Sequence, residues 1–157
     1  RTSNQPNYGG TNYTGKGAQK GDFLRHSLGN HSFTMLVEIK KPSTALLNGE
    51  YRNSVFPPSQ ELAGAVSQIQ VNCRKWDVEG SRTDENRELL QQQNIWTVRP
   101  KGIVLIGDLK QLSNNAQKTS FQIYRRNLIN PEIITFDELL NRAKFLIKNE
   151  TDEKGAA

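Results

Sequence analysis

Gly21-Asp-Phe-Leu-Arg-His-Ser-Leu-Gly-Asn-His-Ser-Phe-Thr-Met-Leu-Val-Glu-Ile-Lys40 is the stretch that decides the fold. Asp22 to Leu28 reads as a strand, Leu28-Gly-Asn-His31 as a turn, and Phe33 to Lys40 as a stronger, more apolar strand. Pro42 stops the second strand because proline has no N–H to give a ladder. A hairpin centred on Asn30 sets Asp22 directly opposite Glu38, with Cβ atoms about 4.5–5.5 Å apart on one face. Lys40 follows Glu38 by two, so strand alternation puts it on that face too. A slip of one residue would turn Asp22 away.

Two carboxylates that close repel unless a cation lies between them, and hard oxygen donors suit Mg²⁺ or Mn²⁺. The Lys40 ammonium can orient or help deprotonate a water, or steady charge building on a phosphate. A metal, an activated water and a positive group are the parts needed to hydrolyse a phosphodiester. Glu-x-Lys at a strand end is also common, and by itself it reads as a solvated cross-strand pair. What favours chemistry is placement on the most apolar strand of the first half, Met35-Leu-Val-Glu-Ile-Lys40, where burying two charges needs a reason.

Pro57-Pro58-Ser59 reads as a helix entrance with Ser59 as N-cap. Behind it Leu62, Val66, Ile69, Cys73 and Trp76 recur at helical spacing as one apolar stripe. Glu61, Ala65 and Gln68 form a second stripe beside it. They can lean Gln68, and Glu61 with it, over the carboxylate pair, or they are simply the polar edge of an amphipathic helix. Asp77 to Gln93 is either an exposed helix or a flexible excursion.

Two β-like runs follow, Ile95 to Arg99 and Gly102 to Gly107, the second apolar enough for a strand buried on both faces. Ala116 to Leu128 reads as a helix with Phe121, Tyr124 and Leu128 inward, and Glu132 to Thr135 as a short strand. The last helix opens on a capping box, Thr135-x-x-Glu138, and carries an apolar stripe of Leu139, Leu140, Ala143, Leu146 and Ile147. The order ββαββαβα predicts an α/β or α+β domain, a mixed central sheet flanked by helices.

The chain has 157 residues, enough for one domain. It opens on Arg1 rather than Met, so a fragment of a longer protein is expected. Residues 1–20, rich in Gly, Asn and Thr, read as a flexible segment, 21–147 as the domain and 148–157 as a polar tail. A formal charge of +5 favours an anionic partner. One cysteine excludes an internal disulfide, and no apolar run is long enough for a transmembrane helix. A cytoplasmic protein with no membrane contact is the expectation.

Some features are set aside. Gly10-x-x-x-x-Gly15-Lys16-Gly17 imitates a phosphate-binding loop but lacks the Ser or Thr after the lysine. His26 and His31 lack zinc-spaced partners. Cys73 falls on the apolar stripe and reads as core, and core packing is the commoner fate of Trp76 and Trp96. Arg74, Lys75, Arg125 and Arg126 are weak candidates for phosphate contacts, and Lys41 and Arg52 stand beside them.

The strings Leu36-Val-Glu-Ile-Lys-Lys-Pro42, Tyr51-Arg52 and Ser59-Gln-Glu-Leu-Ala-Gly-Ala-Val-Ser-Gln68 resemble the C-terminal domain of Shedu proteins. So do Gly21-Asp-Phe-Leu, Gly102-Ile-Val-Leu-Ile-Gly107 and Glu132-Ile-Ile-Thr-Phe-Asp-Glu-Leu-Leu-Asn-Arg-Ala143, all in family order. The resemblance runs from about Gly21 to Ile147. It implies a restriction-endonuclease-like PD-(D/E)XK fold and a DNA endonuclease or nickase of a prokaryotic anti-phage system, homo-oligomeric in the full-length protein. It also implies site roles. Asp22, Glu38 and the Ile39 carbonyl hold Mg²⁺ or Mn²⁺, Lys40 handles the attacking water, and Gln68 completes the site. Lys41, Arg52 and Glu61 are weaker candidates, for nucleic-acid contact, and of them Arg52 belongs to the matched Tyr51-Arg52 pair. Gly21 stands where the namesake motif has proline. The alternative is a non-catalytic nucleic-acid-binding or assembly domain with a nuclease-like fold, and a third reading is nuclease activity on RNA.

Overall fold

The computed structural model describes residues 32–155 as one run, with side chains over 32–148 apart from Glu85 and Leu89, and the backbone of four short strands before it. Those four are β1 (Ser3–Asn4), β2 (Asn7–Tyr8), β3 (Gln19–Lys20) and β4 (Phe23–His26). Then come β5 (Ser32–Ile39), α1 (Gln60–Val78), α2 (Asp84–Gln92), β6 (Ile95–Leu105), α3 (Asn115–Arg126), β7 (Glu132–Ile134) and α4 (Phe136–Gly155). The main sheet runs β1-β4-β5-β6-β7, and β2 pairs with β3 separately. β5, β6 and β7 are parallel to one another, whereas β4 is antiparallel to β5. This is a mixed sheet with helices, as the element order predicts.

The described β4–β5 pairs are Phe23↔Val37, Leu24↔Leu36, Arg25↔Met35 and His26↔Thr34, the register of a hairpin centred on Asn30. On β5 the side chains of Thr34, Leu36 and Glu38 are buried while Met35, Val37 and Ile39 are half-buried. The buried set faces α1. Ser59 caps that helix, its Oγ accepting from the Leu62 N–H at 3.0 Å and donating to the Ala45 carbonyl at 2.6 Å. All five stripe residues, Leu62, Val66, Ile69, Cys73 and Trp76, are buried in the core with Leu36, Val104 and Phe121. Trp76 also satisfies its indole N–H on the Thr97 hydroxyl at 2.6 Å. Asn72 is fully buried there, and neither its amide nitrogen nor its oxygen has a hydrogen-bond partner among the described residues.

Two expectations for the second half change. The runs on either side of Pro100 form one strand, β6, not two. The join is irregular: β5 advances from Phe33 to Met35 while β6 advances from Trp96 to Lys101. Arg99 takes up the surplus with φ at +53°, a left-handed conformation that costs a non-glycine residue about 1 kcal/mol. Asp77 and Asn130 hold it there. The Arg99 N–H donates to Asp77 Oδ1 at 3.4 Å, Asn130 Nδ2 donates to the Pro100 carbonyl at 3.1 Å, and Gly102 N–H donates to Asn130 Oδ1 at 2.7 Å.

The second change concerns apolar residues that find no core. The whole α4 stripe, Leu139, Leu140, Ala143, Leu146 and Ile147, is exposed, because helical spacing aligns side chains on a face but does not supply a wall for it. Trp96, 62% exposed, likewise lies outside the core that Trp76 enters. Residues 84–92, by contrast, resolve to the helical alternative as α2, with Leu90 buried.

Among the described residues an ion pair joins α3 to α4. Arg125 grips Glu138 bidentately, at 2.7 and 2.8 Å, and Thr135 gives Glu138 its backbone N–H and its hydroxyl at 3.1 and 3.0 Å. Burial pushes the Glu138 carboxyl up, but the Arg125 guanidinium and the Thr135 donors outweigh it and hold the group at about 2, against an ordinary 4.5. Arg125 is therefore engaged within the fold. No described helix is long and apolar enough to cross a membrane.

Candidate active site

At the C-terminal end of β5 the sheet delivers a buried carboxylate. Glu38 is only 4% exposed, and an ionised carboxylate taken out of water needs donors on its oxygens. It has them. The Lys40 ammonium lies 3.1 Å from Glu38 Oε1, and Gln68 Nε2 donates to Oε2 at 3.1 Å. Each carboxylate oxygen thus has its own nitrogen partner. Strand alternation explains Lys40, two residues on from Glu38. The buried α1 stripe explains Gln68: once Leu62, Val66 and Ile69 enter the core, the neighbouring stripe overhangs β5.

The backbone there is fixed by the parallel ladder. Glu38 stands beside Val104 and Ile39 beside Leu105, and the Lys40 N–H donates to the Leu105 carbonyl at 2.8 Å. Lys40 keeps 27% of its side chain exposed, so the ammonium bridges the buried carboxylate and solvent.

The other candidates lie apart from this cluster or outside the described residues. Asp22 belongs to the latter. Glu61 is exposed and bonds to none of Glu38, Lys40 and Gln68. Lys41 points to solvent while its N–H donates to Thr44 Oγ1 at 3.1 Å and its carbonyl accepts from Gly107. Arg52 is exposed and stacks over the Tyr51 ring, 5.3 Å from its centroid. Among the described residues no three of His, Cys, Asp and Glu gather as a metal-holding group.

Two residues given no role in the sequence reading of the site hold the segment after Lys40. Gln111 accepts from the Leu46 N–H at 3.1 Å and donates to the Pro42 and Thr44 carbonyls at 3.1 and 3.0 Å. Gly107, at φ +63°, lies so close to Leu46 that an added Cβ would stand 2.6 Å from its Cδ2. A glycine ending an apolar strand was the available signal for the second; nothing local marks the first. Together they fix the route by which the chain leaves the site.

Comparison with known proteins gives the context. The family model for the C-terminal region of the Shedu protein SduA matches residues 2–140. The Shedu protein SduA of Bacillus cereus (strain B4264) is 38% identical over 119 residues, which is 73% of this chain. The matched part spans 30% of that relative's length.

Proposed function

The chain belongs to the family of Shedu SduA C-terminal domains, and from that premise we propose that it is the metal-dependent DNA nuclease domain of an anti-phage defence protein. The fold proposed is the restriction-endonuclease-like PD-(D/E)XK fold. The observation that carries the reading is the buried Glu38 carboxylate, with the Lys40 ammonium on one oxygen and the Gln68 amide on the other.

The donor chemistry fits a hard divalent ion, since Glu38 and the backbone at Ile39 offer oxygen. Asp22, Glu38 and the Ile39 carbonyl are the proposed holders of Mg²⁺ or Mn²⁺. The β4–β5 register supports Asp22 in that role, because Phe23 opposite Val37 is the pairing that an Asp22–Glu38 match requires. Bound there, the ion supplies Lewis-acid charge that makes water a stronger nucleophile at neutral pH.

The protein's own groups do the rest. Gln68 fixes the rotamer of Glu38 by holding Oε2. The Lys40 ammonium, drawn to Oε1, is placed to orient the attacking water or to balance charge on the phosphate. Exposed Lys41 and Arg52, on the segment leaving the site, are proposed to steer the DNA backbone, with Glu61 at the margin.

The test is incubation of purified protein with supercoiled plasmid and Mg²⁺, Mn²⁺ or EDTA, beside Glu38→Ala and Lys40→Ala. Metal-dependent nicking that falls at least about 100-fold in both variants is the expected result. Unchanged cleavage by Lys40→Ala would remove that residue's role. DNA binding with no cleavage under any metal would put a non-catalytic binding domain in place of the nuclease.

A further inference from the structure

Away from Glu38, the irregular part of β6 forms the floor of an open cleft of about 510 Å³. One wall is the C-terminal half of α1, with Arg74 and Asp77; the other is the 129–130 connection. Asp77 lies nine residues after Gln68, on the opposite side of α1 at about 100° per residue. The cleft is therefore separate from the carboxylate site.

We infer that this cleft binds a nucleotide, taking its phosphate on Arg74, Arg99 and Lys101 and its sugar or base against Ile129. Size is the first argument, since clefts of this volume hold small ligands. Charge is the second. Three cations and a single carboxylate, Asp77, line the cleft. Lys101 has Glu132 at 3.6 Å, but neither the Arg74 nor the Arg99 guanidinium has an ion-pair partner among the described residues.

Backbone placement is the third. Arg99 occupies a left-handed position that glycine would hold without strain, yet the position carries a guanidinium. The fourth is the rim, where Ile129 is 98% exposed over a largely apolar lining that includes Pro100. A strained cation beside a bare apolar lip matches the two halves of a nucleotide.

The cleft is also rigid before any ligand arrives. Asn130 bonds to both Pro100 and Gly102, its carbonyl accepts from Gln70 Nε2 at 2.9 Å, and Asp77 holds the Arg99 N–H. Binding into it loses little freedom.

The nucleotide can be free or a unit of a strand, and the backbone amides that line the cleft, over 98–102 and 128–130, report on both. The experiment is performed in EDTA, which leaves it independent of metal-dependent cleavage. Hydrogen–deuterium exchange of those amides is timed alone, with deoxyadenosine monophosphate, and with a single-stranded oligodeoxyadenylate. A slowing of fivefold or more by both ligands identifies a free-nucleotide site, and slowing by the oligonucleotide alone a strand-bound one.

Arg74→Ala/Arg99→Gly should abolish the protection. It should also weaken oligonucleotide binding about tenfold and lower the slope of log affinity against log salt by about 1.4, two phosphate contacts' worth. Arg99→Gly relieves the left-handed strain, so the fold should survive, and Arg74→Glu on the exposed helix surface serves as a second variant. Protection by neither ligand, or protection unchanged in both variants, overturns the inference. A failed nuclease assay leaves it standing.

Discussion

α1 and α4 are nearly equal in length and begin alike, each with a side chain tying down its first turn. Each carries apolar residues at helical spacing, yet α1 buries its stripe against β5 and β6 while every α4 residue from Leu139 to Lys148 is exposed. The amphipathic pattern is the same; the wall is not. A period of 3.6 reports that a face exists, and only the sheet beneath it makes that face a source of stability.

The comparison can be tested by truncating each stripe. Ile69→Ala in α1 should destabilise by about 2–5 kcal/mol, read from urea denaturation. Of intermediate size is the ion pair that ties α4 to α3. Glu138→Gln should cost about 1–3 kcal/mol by weakening the Arg125 pair. The proton linkage has a definite sign. Glu138 titrates at about 2 when folded against an ordinary 4.5, so its contribution is complete above about 4.5 and is lost as pH falls towards 2. The acid-induced drop in melting temperature over that window should be shallower in the variant.

Asn72→Leu sharpens the picture of α1 from the other side. It replaces a buried amide lacking a described partner, and a gain of about 1 kcal/mol is expected. Smallest of all, Leu139→Ser in α4 should move stability by less than about 0.5 kcal/mol. A loss as large as that of Ile69→Ala would mean that the α4 face is covered in solution, and the contrast between the helices would collapse.

What could be read from the sequence follows the same line. The hairpin register was legible because the turn signal at Leu28-Gly-Asn-His31 and the alternation of Phe33 to Lys40 fix one another. The approach of Gln68 to Glu38 was legible as one of two options, the other being that its stripe, which includes Glu61, is only the polar edge of an amphipathic helix. Glu61 sits seven residues back, about 10 Å along the helix axis, and Glu38 meets only one level of α1. Neither the Arg99 conformation nor the reach of Gln111 could be foreseen, because both depend on partners distant in sequence, Asp77 and Asn130 in one case and the 42–46 segment in the other. Trp96 and the α4 stripe failed for want of a wall.

The surplus residues between Trp96 and Lys101 give β6 some slack. Beyond them the ladder runs without a break from Lys101 to Leu105, so a change of length in the irregular stretch is absorbed before it reaches Val104, the neighbour of Glu38. A residue inserted after Val98 should leave the Glu38 backbone amide resonance in place while shifting that of Arg99. The two ends of one strand can then accumulate change at different rates, with the cleft free to diverge while the carboxylate keeps its alignment.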